Sequence, residues 1–172
     1  GSQQQIRPAS IEVATILQGM ADVLEMAIGA RNRLELEVGA NLPTVSLDPA
    51  LLEQSILNLC LNASAAMPDG GTVRIEARGE VNTVTIAVID EGVGMSPEVL
   101  DQALEPYFTT RSKTGGSGLG LAMVYGFVRQ SGGELRITSR LGEGTRVELC
   151  FIPSKSDGTS WQAEHERVRV RH

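Results

Sequence analysis

The chain is poor in aromatic residues, in cysteine and in long apolar runs. It has three Phe, two Tyr and one Trp among 172 residues, too few for the stacking platforms that bind single-stranded nucleic acid. Its two cysteines, Cys60 and Cys150, lack the spacing of a metal site or a redox pair, so we expect reduced thiols. No apolar run approaches the roughly 20 residues of a bilayer-spanning helix, so no direct membrane contact is expected.

A basic excess is also missing, because the formal net charge is −6. A general nucleic-acid binder would carry a basic surface, so nucleic acid is not expected as a partner. The length and the apolar fraction of 41% suit one globular domain followed by a tail. Residues 154–172 lack a core pattern, and we interpret them as tail or linker.

Period-two patterns predict most of a sheet. Strict alternation of apolar and polar residues indicates strands with one solvated face, and it occurs at residues 34–39, 72–78, 134–140 and 145–151. Residues 84–90, VTIAVID, are apolar almost throughout and predict a central strand. Short turns at 79–82 and 141–144 predict two hairpins.

Helical periodicity predicts three main helices, at residues 13–29, 49–67 and 118–131. The first is expected to bury the stripe Ile16, Met20, Val23, Leu24 and Ala27.

The helix boundaries carry recognisable signals. Asp48 is the predicted N-cap of the second helix, with Pro49 in its first turn. Gly132 and Gly133 close the third helix, and Ser96 caps a short helix at 97–104.

The order of these elements does not alternate as in a doubly wound parallel sheet. It predicts an α+β fold, a two-layer α/β sandwich in which the three main helices cover one face of a mixed, largely antiparallel sheet.

Two asparagines interrupt the second predicted helix on one side. Asn58 and Asn62 are four residues apart, so their amides point the same way. An unpaired buried amide costs roughly 1–3 kcal/mol, which favours a wet or ligand-filled pocket beside them. A bridge to neighbouring backbone is the structural alternative. An amide oxygen is a neutral ligand for Mg²⁺, and Asn62 is the candidate.

The central strand ends in Asp90, followed by a Gly-x-Gly turn at Gly92 and Gly94. A dinucleotide-binding loop would need a third glycine, but position 97 is proline, and Asp90 would repel a pyrophosphate. A carboxylate accepts hydrogen bonds only, so Asp90 suits an exocyclic amine such as that of adenine. The glycines would let the backbone approach the ring. Capping of the next turn is the alternative role for Asp90.

A second glycine cluster, residues 115–120, opens the third predicted helix. Backbone amides at a helix start bind phosphate. The cluster is not a Walker motif, because no Lys-Ser or Lys-Thr follows its last glycine. It is not a nucleophile elbow either, because Leu119 stands where that motif requires glycine. Upstream, Arg111 and Lys113 could reach phosphates; a flexible, solvated basic loop is the alternative.

In this order, the motifs closely resemble those of the catalytic ATP-binding domain of two-component sensor histidine kinases, in the GHKL superfamily. NLCLNASAA (58–66) is similar to the N box, DEGVG (90–94) to the adenine box, EPYFTT (105–110) to the F box, and residues 115–133 to the last glycine box with its helix. The resemblance covers residues 6–153 and implies the Bergerat-type fold. The residues of these motifs are most similar to those of hybrid and soluble-regulator sensor kinases.

The resemblance implies a role for each matching residue. Asn62 would hold Mg²⁺ and Asp90 would read adenine, at a site shaped by Gly92 and Gly94. Phe108 would anchor a lid that, with the following helix, wraps ATP, and the remaining binding positions would be Thr110, Arg111, Gly116, Ser117, Gly118, Leu119 and Gly120. The catalytic candidates are Arg111 and Asn58. Asn58 stands where gyrase-type and chaperone ATPases carry a glutamate base, so hydrolysis is expected to be slow.

The resemblance also implies partners. The acceptor histidine would lie on a dimerisation domain of the same parent protein, and phosphate would pass to a response-regulator receiver domain. Residues 1–5 are interpreted as a tag-cleavage scar and the end of a dimerisation helix. We expect a monomeric chain, a homodimeric parent and a cytoplasmic domain, whether or not the parent is membrane-anchored.

Three other functions share these motifs. They are a GHKL ATPase acting as a conformational clamp, a degenerate nucleotide-binding module that only docks, and a serine kinase acting on a sigma-factor regulator.

Overall fold

The computed structural model describes residues 5–103 and 120–154. In chain order its elements are β1 (Ala9–Ile11), α1 (Val13–Ile28), β2 (Asn32–Val38), β3 (Val45–Leu47), α2 (Pro49–Ala65), β4 (Gly71–Glu80), β5 (Thr83–Asp90), α3 (Pro97–Gln102), α4 (Gly120–Gln130), β6 (Glu134–Arg140) and β7 (Gly144–Phe151).

Five strands form the main sheet, in the spatial order β2–β4–β5–β7–β6. β2 pairs with β4 in parallel, whereas β4–β5, β5–β7 and β6–β7 are antiparallel. β5 is therefore the central strand, and the two predicted hairpins are confirmed. The first hairpin turns through Asn82, whose φ of 67° lies in the left-handed region that asparagine tolerates.

The helices α1, α2 and α4 pack on one face of this sheet, which confirms the predicted two layers. The α1 stripe was predicted partly wrongly. Its buried residues are Val13, Leu17, Met20, Leu24 and Ile28, whereas Val23 is 55% exposed. None of the described helices is long and apolar enough to cross a membrane.

The boundary signals are borne out at three sites. The Asp48 carboxylate accepts hydrogen bonds from the first turn of α2, and Ser96 accepts one from Val99 N. At the end of α4, Gly132 has a φ of 77° and Gly133 N donates to Val128 O, as in a glycine-terminated helix. The predicted start of that helix at residue 118 lies outside the described residues.

A second sheet of two short strands was not predicted. β1 pairs with β3 in antiparallel fashion, and its buried residues Ile11, Val45 and Leu47 extend the core. Ser154 N donates to Thr44 O, which ties the chain after β7 to the same place. Three-residue strands are too short to show a period in the sequence.

Asp48 joins the segment before β1 to α2. Its buried carboxylate accepts the backbone N–H of Arg7 at 2.9 Å, besides those of Ala50 at 3.0 Å and Leu51 at 3.3 Å. These bonds lower the pKa of Asp48, the bond from Arg7 having the largest effect, while burial acts in the opposite direction.

The outer face of the sheet holds a buried charge, although its alternation predicted a solvated surface. The Glu76 side chain is only 4% exposed, because arginine side chains lie over it. Arg78 Nη2 bonds its carboxylate at 2.8 Å and Arg146 Nη1 at 3.3 Å, while Arg74 Nε lies 3.7 Å away. Long arginine stems cover the acid while their charged ends reach solvent.

The carboxylate of Asp48 is expected to stabilise the fold only above acidic pH. Because its pKa is lower in the folded chain than in the unfolded chain, its contribution is complete above about pH 4 and disappears as the pH falls through the folded-state pKa. Urea unfolding at a series of pH values should show wild type losing its advantage over Asp48→Asn below pH 4. The exposed Asp22→Asn is the matched control; equal pH profiles for the two variants would contradict this role.

Replacing Glu76 by glutamine is expected to destabilise the protein by about 1–3 kcal/mol, since three arginines would lose the anion between them. This loss is smaller than the roughly 3–5 kcal/mol usual for a broken buried ion pair, because the arginines are 32–62% exposed. Glu134→Gln, which breaks an exposed pair with Arg136, should cost at most about 0.5 kcal/mol. Urea titrations give both values, and similar losses would show that the burial of Glu76 does not matter.

Candidate functional site

Asp90 is the last residue of β5 and faces the helical layer. In the sheet register it lies between Val73 on β4, which is fully buried in the core, and Thr145 on β7. Because side chains alternate along a strand, Asp90 shares the side of Val88 and Ile86. The sheet therefore carries a carboxylate, 9% exposed, at the end of its central strand beneath the helices.

The environment of this carboxylate combines burial with hydrogen bonding. Gly92 N donates to Asp90 Oδ1 at 2.8 Å, and the backbone N–H of Thr145, the register partner of Asp90 on β7, lies nearby. Burial raises the pKa of Asp90, and the backbone N–H groups of Gly92 and Thr145 lower it by a smaller amount. A carboxylate offers about four acceptor positions, so Asp90 keeps capacity for a further donor.

The two glycines of the loop are required by protein contacts. A Cβ on Gly92 would lie 2.4 Å from Ala66 O, and one on Gly94 would lie 1.9 Å from Arg140 O. Gly94 also has a φ of 68°, where other residues are strained. The approach seen here is to α2 and to the end of β6; the predicted approach to a purine ring stays a prediction.

The hairpin of β6 and β7 holds the other side of this loop. Gly142 N donates to Val93 O at 2.7 Å, and Met95 N donates to Ser139 Oγ at 2.8 Å. On the opposite side Val93 N donates to Ala66 O at 3.0 Å. The loop is thus fixed between the end of α2 and the hairpin.

The asparagines of α2 lie on its side toward α4, both half-buried. Asn62 is one turn before Ala66, the residue on which the loop packs, and a Cβ on Gly120 would lie 3.9 Å from Asn62 Nδ2. The structure thereby brings three features to the same end of the molecule: the Asn62 side chain, the first described residue of α4, and the loop after Asp90.

Asn58 lies in an open groove between the two helices. The groove has a volume of about 130 Å³, and α2 contributes Leu51, Gln54, Ser55 and Asn58 to its walls. α4 contributes the opposite wall with Met123, Gly126, Phe127 and Gln130. The predicted common side of the two asparagines therefore exists, and α4 covers it.

Other predicted site residues lie outside the described part of the chain, namely Phe108, Thr110, Arg111, Gly116, Ser117, Gly118 and Leu119. Sequence reasoning missed Ser139 and Thr145, which contact the loop and Asp90. A signal was present, because both are polar residues in phase with the core-facing side of their strands, beside Ile137 and Val147.

The side chains near Asn62 suit a cation that takes few protein ligands better than a metal held by several charged or imidazole ligands. In residues 5–103 and 120–154, no cluster of three or more His, Cys, Asp or Glu could hold a metal ion. A carboxamide such as that of Asn62 fits Mg²⁺, which keeps several waters and takes few protein ligands beside phosphate oxygens.

Comparison with protein families gives a match over residues 47–156. The matching family model is described as histidine kinase-, DNA gyrase B- and HSP90-like ATPase. The matched segment contains α2, the Asp90 loop and α4, so it includes every described residue of the site.

Several curated proteins are similar in sequence. Sensor kinase CckA of Brucella abortus is 32% identical over 88% of this chain and 18% of its own length. Sensor histidine kinase ZraS of Escherichia coli is 34% identical over 81% of this chain and 30% of its own length. Histidine protein kinase DivJ of Caulobacter vibrioides is 42% identical over 67% of this chain and 19% of its own length. The chain thus spans less than a third of these relatives.

Solved structures share the fold. Full-length ShkA, crystallised in complex with AMPPNP, superposes with a TM-score of 0.76 at 25% identity, over 89% of this chain and 33% of that one. The mycobacterial sensor histidine kinase MprB superposes with a TM-score of 0.70 at 22% identity, over 87% of this chain and 98% of that one. This likeness shows the fold alone. The chain belongs to the histidine kinase-, DNA gyrase B- and HSP90-like ATPase family and is a histidine kinase catalytic ATP-binding domain.

Proposed function

We propose that this domain binds Mg·ATP and transfers the γ-phosphoryl group to a histidine on a separate dimerisation domain of its parent protein, for relay to a response-regulator receiver domain. The observation that carries the proposal is the buried carboxylate of Asp90, which keeps acceptor capacity and lies at the same end of the molecule as Asn62 and the start of α4.

Asp90 would recognise adenine. A carboxylate that is largely removed from water benefits from each donor it gains, and an exocyclic amine supplies one. An oxo group at the same purine position would instead face a second acceptor. The loop is held on both sides, so this selection would need little rearrangement.

Asn62 and the start of α4 would hold the phosphates. Backbone N–H groups in the first turn of a helix attract anions, and Gly120, the first described residue of α4, lies beside the Asn62 amide. Mg²⁺, when bound, would neutralise phosphate charge as the γ-phosphoryl group leaves. We propose the Asn62 carboxamide oxygen as its protein ligand and Arg111 as a further positive charge on the phosphates.

The amide of Asn58 favours transfer over hydrolysis. An amide cannot take a proton from water at neutral pH, so the groove that Asn58 lines offers no base at this position. Phosphate would be kept for an acceptor that brings its own nucleophile. This separates the proposal from a clamp ATPase, which turns nucleotide over.

The acceptor is proposed to lie elsewhere in the parent protein. The histidines of this chain, His165 and His172, are in the segment interpreted as a tail, and neither has the flanks of an acceptor site. The kinase domain is proposed to comprise residues 6–153, within a cytoplasmic part of a homodimeric parent.

Asp90→Asn is expected to weaken Mg·ATP binding at least about tenfold, because hydrogen bonds to charged groups are worth about 1.5–3 kcal/mol and the variant loses the charge. Calorimetric titration measures the effect. Glu91→Gln is the matched control, since it removes a charge from the exposed neighbouring residue and should bind as wild type does. Equal binding by Asp90→Asn and wild type would refute the adenine site.

The transfer itself is tested with a separately produced dimerisation domain. Mixed with this chain and Mg·ATP, it should gain phosphohistidine, and Asp90→Asn should abolish the product. Phosphoserine on an added partner, or steady ATP turnover with no acceptor, would instead indicate one of the other members of this fold. A chain that binds no Mg·ATP would be a docking module only.

Gly94→Ala is expected to disrupt the loop and to weaken Mg·ATP binding at least about tenfold, because no room exists for a Cβ against the Arg140 carbonyl. Gly19→Ala on α1, where a Cβ meets nothing within 4 Å, should instead stabilise the fold by about 0.5–1 kcal/mol and leave binding unchanged. Thermal unfolding and calorimetry measure both variants. Unaltered binding by Gly94→Ala would show that this loop is not part of the site.

A further inference from the structure

Ser139 is a polar residue on the core-facing side of β6. Its hydroxyl lies between three groups: Met95 N at 2.8 Å, Gly144 O at 3.0 Å and Thr145 Oγ1 at 2.8 Å. These groups belong to the loop after Asp90 and to the start of β7. The hydroxyl therefore connects three segments around the candidate adenine site: β6 itself, the loop after Asp90 and the start of β7.

The hydrogen-bonding capacities fix the directions of these bonds. A carbonyl oxygen only accepts, so the single proton of Ser139 goes to Gly144 O, and Met95 N–H occupies one lone pair. The contact with Thr145 then requires the Thr145 hydroxyl to donate into the remaining lone pair. Ser139 is fully used, and the Thr145 oxygen keeps only acceptor positions for other partners.

The hydrogen bonds of Ser139 fix the surroundings of Asp90 in two ways. Thr145 is the register partner of Asp90, and its backbone N–H helps to lower the pKa of that carboxyl, so holding Thr145 also holds this N–H beside Asp90. Met95 belongs to the same loop as Gly92, whose N–H bonds Asp90 Oδ1 at 2.8 Å. In the register, Asp90, Thr145 and Ser139 lie side by side across three strands.

We propose that Ser139 is a positioning residue for purine selection: it keeps the loop and the Thr145 hydroxyl in an arrangement that presents only acceptors, beside Asp90, to the base. The inference rests on the proposed function. Ser139 acts through Met95 and Thr145 and is not expected to touch the nucleotide.

Loss of the Ser139 hydroxyl should change selectivity as well as affinity. In Ser139→Ala the Thr145 hydroxyl is free to rotate and to donate toward the base, which suits the oxo group of an inosine nucleotide. The Kd for ATP should rise about tenfold while the Kd for ITP changes less than about threefold, so the ratio Kd(ITP)/Kd(ATP) should fall at least about threefold. Calorimetric titration of both nucleotides with Mg²⁺ gives the ratio.

Ser131→Ala is the matched control. Ser131 Oγ is buried and has no hydrogen-bond partner among the described residues, so the same chemical change should leave both Kd values within about twofold. If Ser139→Ala does not fold, Ser139→Cys serves instead, because a thiol has a similar shape and is a weak donor and acceptor. It should lower the ratio in the same direction.

The outcomes separate the two proposals. Weaker ATP binding with an unchanged ratio Kd(ITP)/Kd(ATP) in the Ser139 variant would show a merely structural hydroxyl and overturn this inference, leaving the proposed function intact. Failure of the wild-type chain to bind ATP would overturn the proposed function and this inference with it.

Discussion

The contact between the last turn of α2 and the loop after β5 is the constraint on which this site depends. Ala66 accepts the N–H of Val93, and Gly92 lies so close to the Ala66 carbonyl that no side chain fits between them. α2 carries the amide of Asn62, and β5 ends in the carboxylate of Asp90. A change in this packing would move a neutral acceptor and a charged acceptor relative to each other, so the spacing available to a ligand is set by backbone contact.

Burial gives Asp90 its chemical character. A surface carboxylate would be satisfied by water, but this one lies beneath the helical layer, where its pKa is raised and the N–H of Gly92 satisfies it only in part. A ligand that supplied a donor would recover part of the free energy that the burial of this carboxylate costs. Glu76 shows the other solution to the same problem, since three arginines surround it and neutralise its charge within the protein.

Much of the architecture could be predicted because its signals are local. Alternation located four of the five long strands and a continuous apolar run located β5, while Asp48, Ser96 and Gly132 marked helix boundaries through bonds that span only a few residues. The strands β1 and β3 could not be predicted, because each is three residues long and is stabilised by its distant partner. The burial of Glu76 also depends on pairing, since β7 brings Arg146 to β4 across the central strand.

The sequence by itself determined which chemical groups exist and their periodic positions: two amides on one side of α2, a carboxylate at the end of an apolar strand, and glycines where a left-handed or crowded backbone was needed. Period and local hydrogen bonding suffice for that. The tertiary structure alone decided that Gly92 and Gly94 face protein backbone, that Asn62 lies beside Gly120, and that the Ser139 hydroxyl joins three segments. Such contacts join residues far apart in the chain, and their geometry follows from sheet register and helix packing, which no short stretch of sequence specifies.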